Sequence, residues 1–562
     1  MAVPYWRGDE RRKAWTLLAV LIGLMLAETH FAVRLNTQTG ELTSALAARD
    51  ADRFWDAVRA CLVVLAFAVP IYAFYYYMRD AFANHWRRWL TRRFLDGYFG
   101  ERRYYDLQKN GDIDNPDQRI SEDINTFTGR SIHFLLIFLG SVMQLVAFSA
   151  VLWSISKALV AFLAVYATVG TVLALGVFGA PLIGLNFWQL RREADFRFGL
   201  MRVRENAESI AFYRGEPQER SRVERLFDAA WHNYWKLIRK QRTLNLFQRA
   251  FTQLTVVVPS IILADAVLSG EMEVGRAVQA GGAFVAVLSA VSVIVENFES
   301  LSRFVAGIGR LDALSRLVLP GGVGGRGRRD GAPAGATSPR IDWRKGDRLR
   351  LDGLTLYTPR TDRLLVKNLS LSLDPGDGLL ITGVSGSGKS SLLRAIAGLW
   401  RSGTGTVQHP PLTDLFFLPQ RPYMQPGSLR SQLIYPATDT ELDDDRLLAI
   451  LAEVQLGDLA GQVGGLDAED DWEKLLSVGE QQRLAFARVL VRQPKVVILD
   501  EATSALDARN EAVLYQRLRD SGATLVSVAH RPGVLRFHTQ VLSLTGGGQW
   551  QLQPADGFQF DV

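Results

Sequence analysis

The chain has 562 residues, 48% of them hydrophobic and 22% charged, with a formal net charge of +6 and a single cysteine, Cys61. That length admits two or more domains, and one cysteine excludes an intramolecular disulfide framework and a multi-cysteine metal site. The basic excess lies between apolar runs of membrane length, so a membrane surface accounts for it better than nucleic acid, which is not expected as a partner.

In chain order, Arg7, Arg11, Arg12 and Lys13 precede a first apolar run in which Glu28, His30 and Arg34 appear in place of a small-residue cleavage site. It reads as a retained membrane helix. Hydropathy predicts six spans at Trp15–Val33, Trp55–Met78, Ile132–Ser156, Leu159–Leu185, Phe251–Leu268 and Ala277–Val295, each about 20 residues, the length that crosses a hydrocarbon core. Pro259 and Asp265 interrupt the fifth. Lys and Arg cluster before the first span, after the second and between the fourth and fifth, which puts both termini of a multi-pass protein in the cytoplasm. Helical spacing of polar and apolar residues from Asp80 to Phe127 and from Asn186 to Phe247 predicts long helices beyond the bilayer, suited to carrying force. Glu28, Asp265, Glu296 and Glu299 lie in or near span ends. Facing a cavity they are candidate substrate contacts, because an intramembrane charge is costly, whereas at the headgroups they need no such role.

A Gly/Pro/Ala-rich stretch over 320–340 reads as a flexible linker between a membrane domain (1–319) and a soluble α/β domain (341–562). In the second half, an apolar strand ends in a glycine loop and a helix starting at Lys389. Gly383, Gly386, Gly388, Lys389 and Ser390 fit the G-x-x-x-x-G-K-[ST] phosphate loop, which also holds Ser385, Ser387 and Ser391. Glycines let backbone N–H groups curl around phosphate oxygens at a helix N-terminus. Lys389 is placed to reach the β- and γ-phosphates of a nucleoside triphosphate, and Ser390 to ligate Mg²⁺. Downstream, Val496–Leu499 is a buried-strand run. Asp500 at its end is placed to hold Mg²⁺ through water and Glu501 to polarise the attacking water.

Around these residues the soluble half resembles the nucleotide-binding domain of ABC transporters. Leu476-Ser477-Val478-Gly479-Glu480 is similar to the signature motif LSGGQ, departing at Val478 and Glu480. Gln420 in LPQRPY resembles the Q-loop and a third Mg²⁺ contact, Ser504 to Asp507 the D-loop, and His530 in VAHR the switch histidine. Tyr357 stands where the family stacks an aromatic ring on adenine. The resemblance implies a six-span helical membrane domain of exporter-type architecture fused to an α/β P-loop ATPase. It also implies ATP as the nucleotide and a second identical subunit, the signature residues Ser477 and Gly479 of one completing the phosphate site of the other, with Glu480 and Asp507 also nucleotide-binding.

The membrane half is similar to SbmA/BacA-type peptide uptake proteins and to their fused-ATPase relatives, the YddA-like and subfamily D transporters. The likeness rests on Leu35-Asn36 through Phe54-Trp55, on Trp86-Arg87-Arg88-Trp89-Leu90-Thr91, on Asn115-Pro116-Asp117-Gln118-Arg119-Ile120, and on Glu205 to Glu216. It implies ATP-driven import of peptides or other bulky hydrophilic solutes across a bacterial inner membrane. Cobalamin or fatty acyl-CoA cargo, export, and a proton-coupled carrier with a regulatory ATPase share the same sequence features. Trp86 and Trp89 beside arginines also fit interfacial anchors.

Overall fold

The computed structural model describes residues 3–110, 113, 115–319, 340–359 and 361–560. Residues 320–339 of the predicted linker over 320–340, and the side chains of Glu296 and Glu299, lie outside the described residues. Two compact units divide the chain, Met1–Gly331 and Ala332–Val562.

Among the described residues the elements of the first unit are all helices, the one secondary structure that lets a single apolar run satisfy its own backbone in lipid. It begins with α1 (Val3–Arg7), α2 (Arg11–Ala48) and α3 (Ala51–Phe99), followed by the short α4 (Arg103–Asn110) and α5 (Pro116–Gln118). Then come α6 (Ile124–Ile155), α7 (Lys157–Ala174), α8 (Ala180–Glu205) and α9 (Ala207–Tyr213). The unit ends with α10 (Glu216–Leu268), α11 (Val274–Glu296) and α12 (Phe298–Val318). A sharp turn joins α2 to α3. Arg49 sits in the left-handed region (φ 57°) with its N–H returned to the α2 carbonyls, and the Asp50 carboxylate accepts from the Arg53 N–H to open α3.

Among the described residues, five segments are long and apolar enough to cross a membrane: Arg11–Ala48, Ala51–Gln108, Pro116–Ile155, Lys157–Gly179 and Val274–Val293. In the α3 segment only 6% of the apolar window is buried within the chain. The predicted fifth span is a shorter apolar stretch, Val257–Leu268, at the end of the 53-residue α10. Pro259 does not break that helix. Arg249 and Gln253 shorten its apolar stretch.

Small and polar residues, the usual means of joining helices in lipid, hold α2 to α11. A methyl group at either Gly40 or Gly275 would overlap the other's carbonyl. The Gly275 N–H donates to Ser44 Oγ at 3.1 Å, Asn36 Nδ2 donates to the Gln279 carbonyl at 3.0 Å, and Gln279 Nε2 donates to Thr37 Oγ1 at 3.0 Å. Asn36, from the first family-like stretch, is therefore a helix-packing residue. Two further family-like stretches also go into packing. Arg119 is buried and donates to the Arg310 carbonyl of α12 at 2.6 Å. Trp86 is only 2% exposed, stacked on Tyr5 of α1 at 5.3 Å and edge-on to Phe127 at 5.4 Å. That corrects its reading as an interfacial anchor: α1 folds back over it.

The second unit is α/β. Its first strands are β1 (Ile341–Lys345), β2 (Leu349–Tyr357), β3 (Leu364–Leu373), β4 (Gly378–Gly383), β5 (Gly403–His409) and β6 (Leu415–Leu418). A two-residue ribbon, β7 (Gly427–Ser428) with β8 (Glu469–Asp470), is followed by β9 (Val496–Asp500), β10 (Thr524–Val528), β11 (Gln540–Gly546) and β12 (Gln549–Pro554). The helices are α13 (Lys389–Ile396), α14 (Leu429–Ile434), α15 (Asp444–Glu453), α16 (Leu459–Val463), α17 (Trp472–Leu475), α18 (Val478–Arg492) and α19 (Ala508–Asp520). One sheet has the order β1-β5-β2-β3 and the other β12-β11-β4-β10-β9-β6. In the second, every pairing except β11–β12 is parallel. Strands buried on both faces, such as Val496–Leu499 and Thr524–Val528, explain their unbroken apolar runs.

Candidate nucleotide site

Parallel strands of an open α/β sheet gather their loops at the carboxyl edge, where ligands bind. Here β4 ends at Gly383, β9 at Asp500 and β10 at Val528, two residues before His530, while β6 ends two residues before Gln420. Topology alone thus brings the phosphate loop, both acids, the switch histidine and the Q-loop residue to one edge.

Backbone conformation shapes the phosphate loop. Gly383, Gly386 and Gly388 have φ of 136°, 78° and 107°, values that side chains resist. At Gly383 a Cβ would also overlap the Leu544 carbonyl of β11. Lys389 begins α13, and its ammonium donates to the Gly383 carbonyl at 2.7 Å and to Val384 at 3.2 Å. Burial holds the Lys389 pKa below the usual lysine range, against the pull of Glu501 and Asp500. Ser387 Oγ is buried without a hydrogen-bond partner. Arg363, ahead of β3, donates to the Gly386 carbonyl at 2.7 Å and steadies the loop from outside. Ser385 lies within the loop and is exposed, and Ser391 follows it and is half-buried. Tyr357 ends β2, and its carbonyl accepts from Trp400 Nε1 at 3.0 Å.

Ser390 Oγ donates to Asp500 Oδ1 at 3.2 Å. Burial raises the Asp500 pKa, opposed by the Ser390 hydrogen bond. Among the described residues no cluster of three His, Cys, Asp or Glu side chains could hold a metal. The donor set is instead a hydroxyl, a carboxylate and an amide, all oxygen, which suits a hard cation that takes its remaining ligands from phosphate and water. The orphaned Ser387 hydroxyl, the curled glycines and this set fit ATP with Mg²⁺.

Glu501 is held on both sides. Gln420 Nε2 donates to its Oε2 at 3.1 Å, and His530 Nε2 lies 3.4 Å from its Oε1. Its own φ is 51°, a left-handed backbone rare for a residue with a side chain, pinned by its N–H donating to the Val528 carbonyl at 3.1 Å. Strain of this kind costs about 1–3 kcal/mol and persists where the surroundings over-determine it.

Ser477, Gly479, Glu480 and Asp507 are not brought to this edge by any hydrogen bond among the described residues. Ser477 caps α18 in a capping box: its Oγ and N–H both donate to Glu480 Oε2, at 2.7 and 2.9 Å. Those bonds hold the Glu480 pKa below the usual carboxylate range. Gly479 packs on the Ala505 carbonyl, and Asp507 caps α19 by accepting from Arg509 and Asn510. Of the membrane acids, Glu28 is half-buried and hydrogen-bonded to Tyr72, and Asp265 is exposed.

Two residues outside the sequence-predicted set tie the loops together. Gln482, 1% exposed, donates to the Gln420 carbonyl at 3.0 Å and to Ser504 Oγ at 3.3 Å, and accepts from the Ala505 N–H at 3.1 Å. Arg531 donates to the carbonyls of Leu506 and Ser504 at 2.5 and 3.2 Å. The visible signal was the polar run Glu480-Gln481-Gln482-Arg483 near the start of α18. Gln482→Leu leaves three groups of two loops unpaired, a cost of roughly 1–3 kcal/mol each if they stay dry. The expected result is ATP turnover lowered about tenfold with ATP affinity nearly unchanged, read by steady-state ATPase assay beside equilibrium nucleotide binding. Equal loss of both would mean that Gln482 only supports the fold.

Comparison with known proteins gives the family. Residues 5–268 match the family described as ABC transporter transmembrane region 2, and residues 366–504 match the family described as ABC transporter. An uncharacterised ABC transporter ATP-binding protein of Synechocystis is 46% identical over 97% of this chain and 82% of its own. ABC transporter D family member 2, chloroplastic, of Arabidopsis thaliana is 36% identical over 99% and 88%. The lysosomal cobalamin transporter of Homo sapiens is 31% identical over 98% and 94%.

Proposed function

This chain belongs to the ABC transporters, of the subfamily D type, and we propose that it works as a homodimer moving a bulky hydrophilic solute across a bacterial inner membrane, both termini cytoplasmic. It spans a membrane, binds ATP and couples ATP hydrolysis to transport. In our reading, Lys389 and the loop N–H groups bind the β- and γ-phosphates, and Tyr357 stacks on adenine. Mg²⁺, when bound, is held by Ser390, Gln420 and Asp500 and supplies positive charge for the phosphates. Glu501 takes the proton of the attacking water, kept in place by Gln420 and His530. The capping of Ser477 away from its own phosphate loop supports its use, with Gly479, Glu480 and Asp507, on the partner's nucleotide across an isologous interface. Loss of the γ-phosphate then removes what bridges the two halves.

For cargo, cobalamin comes first. The observation that carries it is the near full-length likeness to a cobalamin transporter. Peptide is the second reading, favoured by the SbmA/BacA-like stretches, although Asn36, Trp86 and Arg119 in those stretches serve helix packing. The test is uptake of labelled cobalamin and of a labelled proline-rich cationic peptide in cells lacking their own importers, wild type against Glu501→Gln. Cobalamin accumulated by wild type alone is the expected result. Peptide accumulated in its place moves the cargo to peptide, and equal accumulation by the variant overturns ATP-driven transport.

A further inference from the structure

We propose that the cleft between the start of α2 and the far end of α3 is a binding site for the phosphate of an anionic phospholipid headgroup. The cleft measures about 760 Å³, within the range of small-molecule sites. Its walls carry Lys13, His85, Arg88, Arg92, Arg93 and Arg103, against the acids Glu10, Asp96 and Glu101.

Two of the three acids are already engaged. Glu10 pairs with Lys13 at 3.2 Å and Glu101 with Arg103 at 3.4 Å, while Arg103 also donates to the Val318 carbonyl. Arg88 and Arg92 are exposed, and among the described residues neither has a hydrogen-bond or ion-pair partner. They stand four apart on α3, where like charges face and repel each other. Arg93 lies over the Trp89 ring at 5.5 Å. Such a cluster is stable when a dianionic or monoanionic phosphate sits among its forks, which arginine recognises in bidentate fashion.

Position selects the source of that phosphate. Lys13 is two residues before Trp15, where the first apolar run begins, and His85 is seven past Met78, where the second ends. At 1.5 Å per residue Lys13 stands about 3 Å and His85 about 10 Å beyond the apolar runs, so this end of the cleft opens at the headgroups and the rest of it extends away from the bilayer. Basic pockets on the cytoplasmic side of membrane helices take lipid headgroups in this way. The Tyr5–Trp86 stack anchors α1 and fixes the α2 wall of the cleft.

The experiment uses the full-length protein in nanodiscs of phosphatidylcholine with or without phosphatidylglycerol. Bound lipid is counted by native mass spectrometry and stability by melting temperature. Wild type is expected to retain phosphatidylglycerol and to melt higher in its presence. Arg88→Gln with Arg92→Gln should lower that retention about 30-fold and lose the melting increment, while matching wild type in pure phosphatidylcholine. Arg197→Gln with Arg204→Gln, which removes the same charge from exposed positions on α8, should keep both. An unchanged increment in the first variant, or an equal loss in the second, overturns the site. A matching increment from inorganic phosphate in pure phosphatidylcholine discs overturns the lipid assignment.

Discussion

Glu501→Gln should lower steady-state ATP hydrolysis by about 100- to 10,000-fold, the usual contribution of a positioned general base, while leaving ATP binding intact. The side chain keeps its length and its place between Gln420 and His530, so only the capacity to take a proton is lost. The backbone demand at φ 51° is unchanged, because glutamine meets the same steric limits as glutamate. ATPase activity and nucleotide affinity of the purified protein, measured together, check this. Hydrolysis within a fewfold of wild type would remove Glu501 from the base role and leave His530 or substrate-assisted chemistry to supply it.

The second large effect is expected in the membrane unit. Gly275→Leu places a branched side chain where even a methyl group would overlap the Gly40 carbonyl. It also presses on Ser44, whose hydroxyl receives the Gly275 N–H. Overpacking of this kind costs about 1–3 kcal/mol where neighbours can yield. Here the nearest atoms are main chain, so α2 and α11 must part and the Asn36, Thr37 and Gln279 bonds part with them. The expected outcome is little folded protein recovered from membranes and a sharply lowered melting temperature. Gly281→Leu on the same helix meets open space and should be tolerated. If both variants accumulate and melt alike, close approach of α2 and α11 is not what holds them.

The phosphate loop, Asp500 and Glu501 were legible in the sequence because their chemistry fixes both residue type and spacing, and the strand before each is an apolar run that reads directly. Gln482 was not. A glutamine in a helix carries no sign of which carbonyls it will meet, and its partners lie up to 62 residues away. Trp86 misleads for a related reason: its arginine neighbours read as a membrane boundary, and nothing local shows that Tyr5 turns back to cover it. Pro259 reads as an interruption, yet α10 continues through it, as membrane helices allow when neighbours re-satisfy the freed carbonyl. Arg119 belongs to a stretch that reads as a turn and a helix start, and Asn115 does take the left-handed turn at φ 43°. Its guanidinium, however, serves a helix 191 residues further on.

The α2–α11 seam also has a history in time. Asn36 and the Gln279 carbonyl it bonds are 243 residues apart, and a ribosome adds about 5–20 residues per second. The first helix thus waits on the order of tens of seconds with Asn36, Thr37 and Ser44, just past its apolar run, lacking their final partners. During biogenesis α2 has α3 and then α6 to lean on, and the seam closes when synthesis of the membrane half is nearly done. Its polar side chains, so useful in the finished protein, are what the nascent chain must shelter longest.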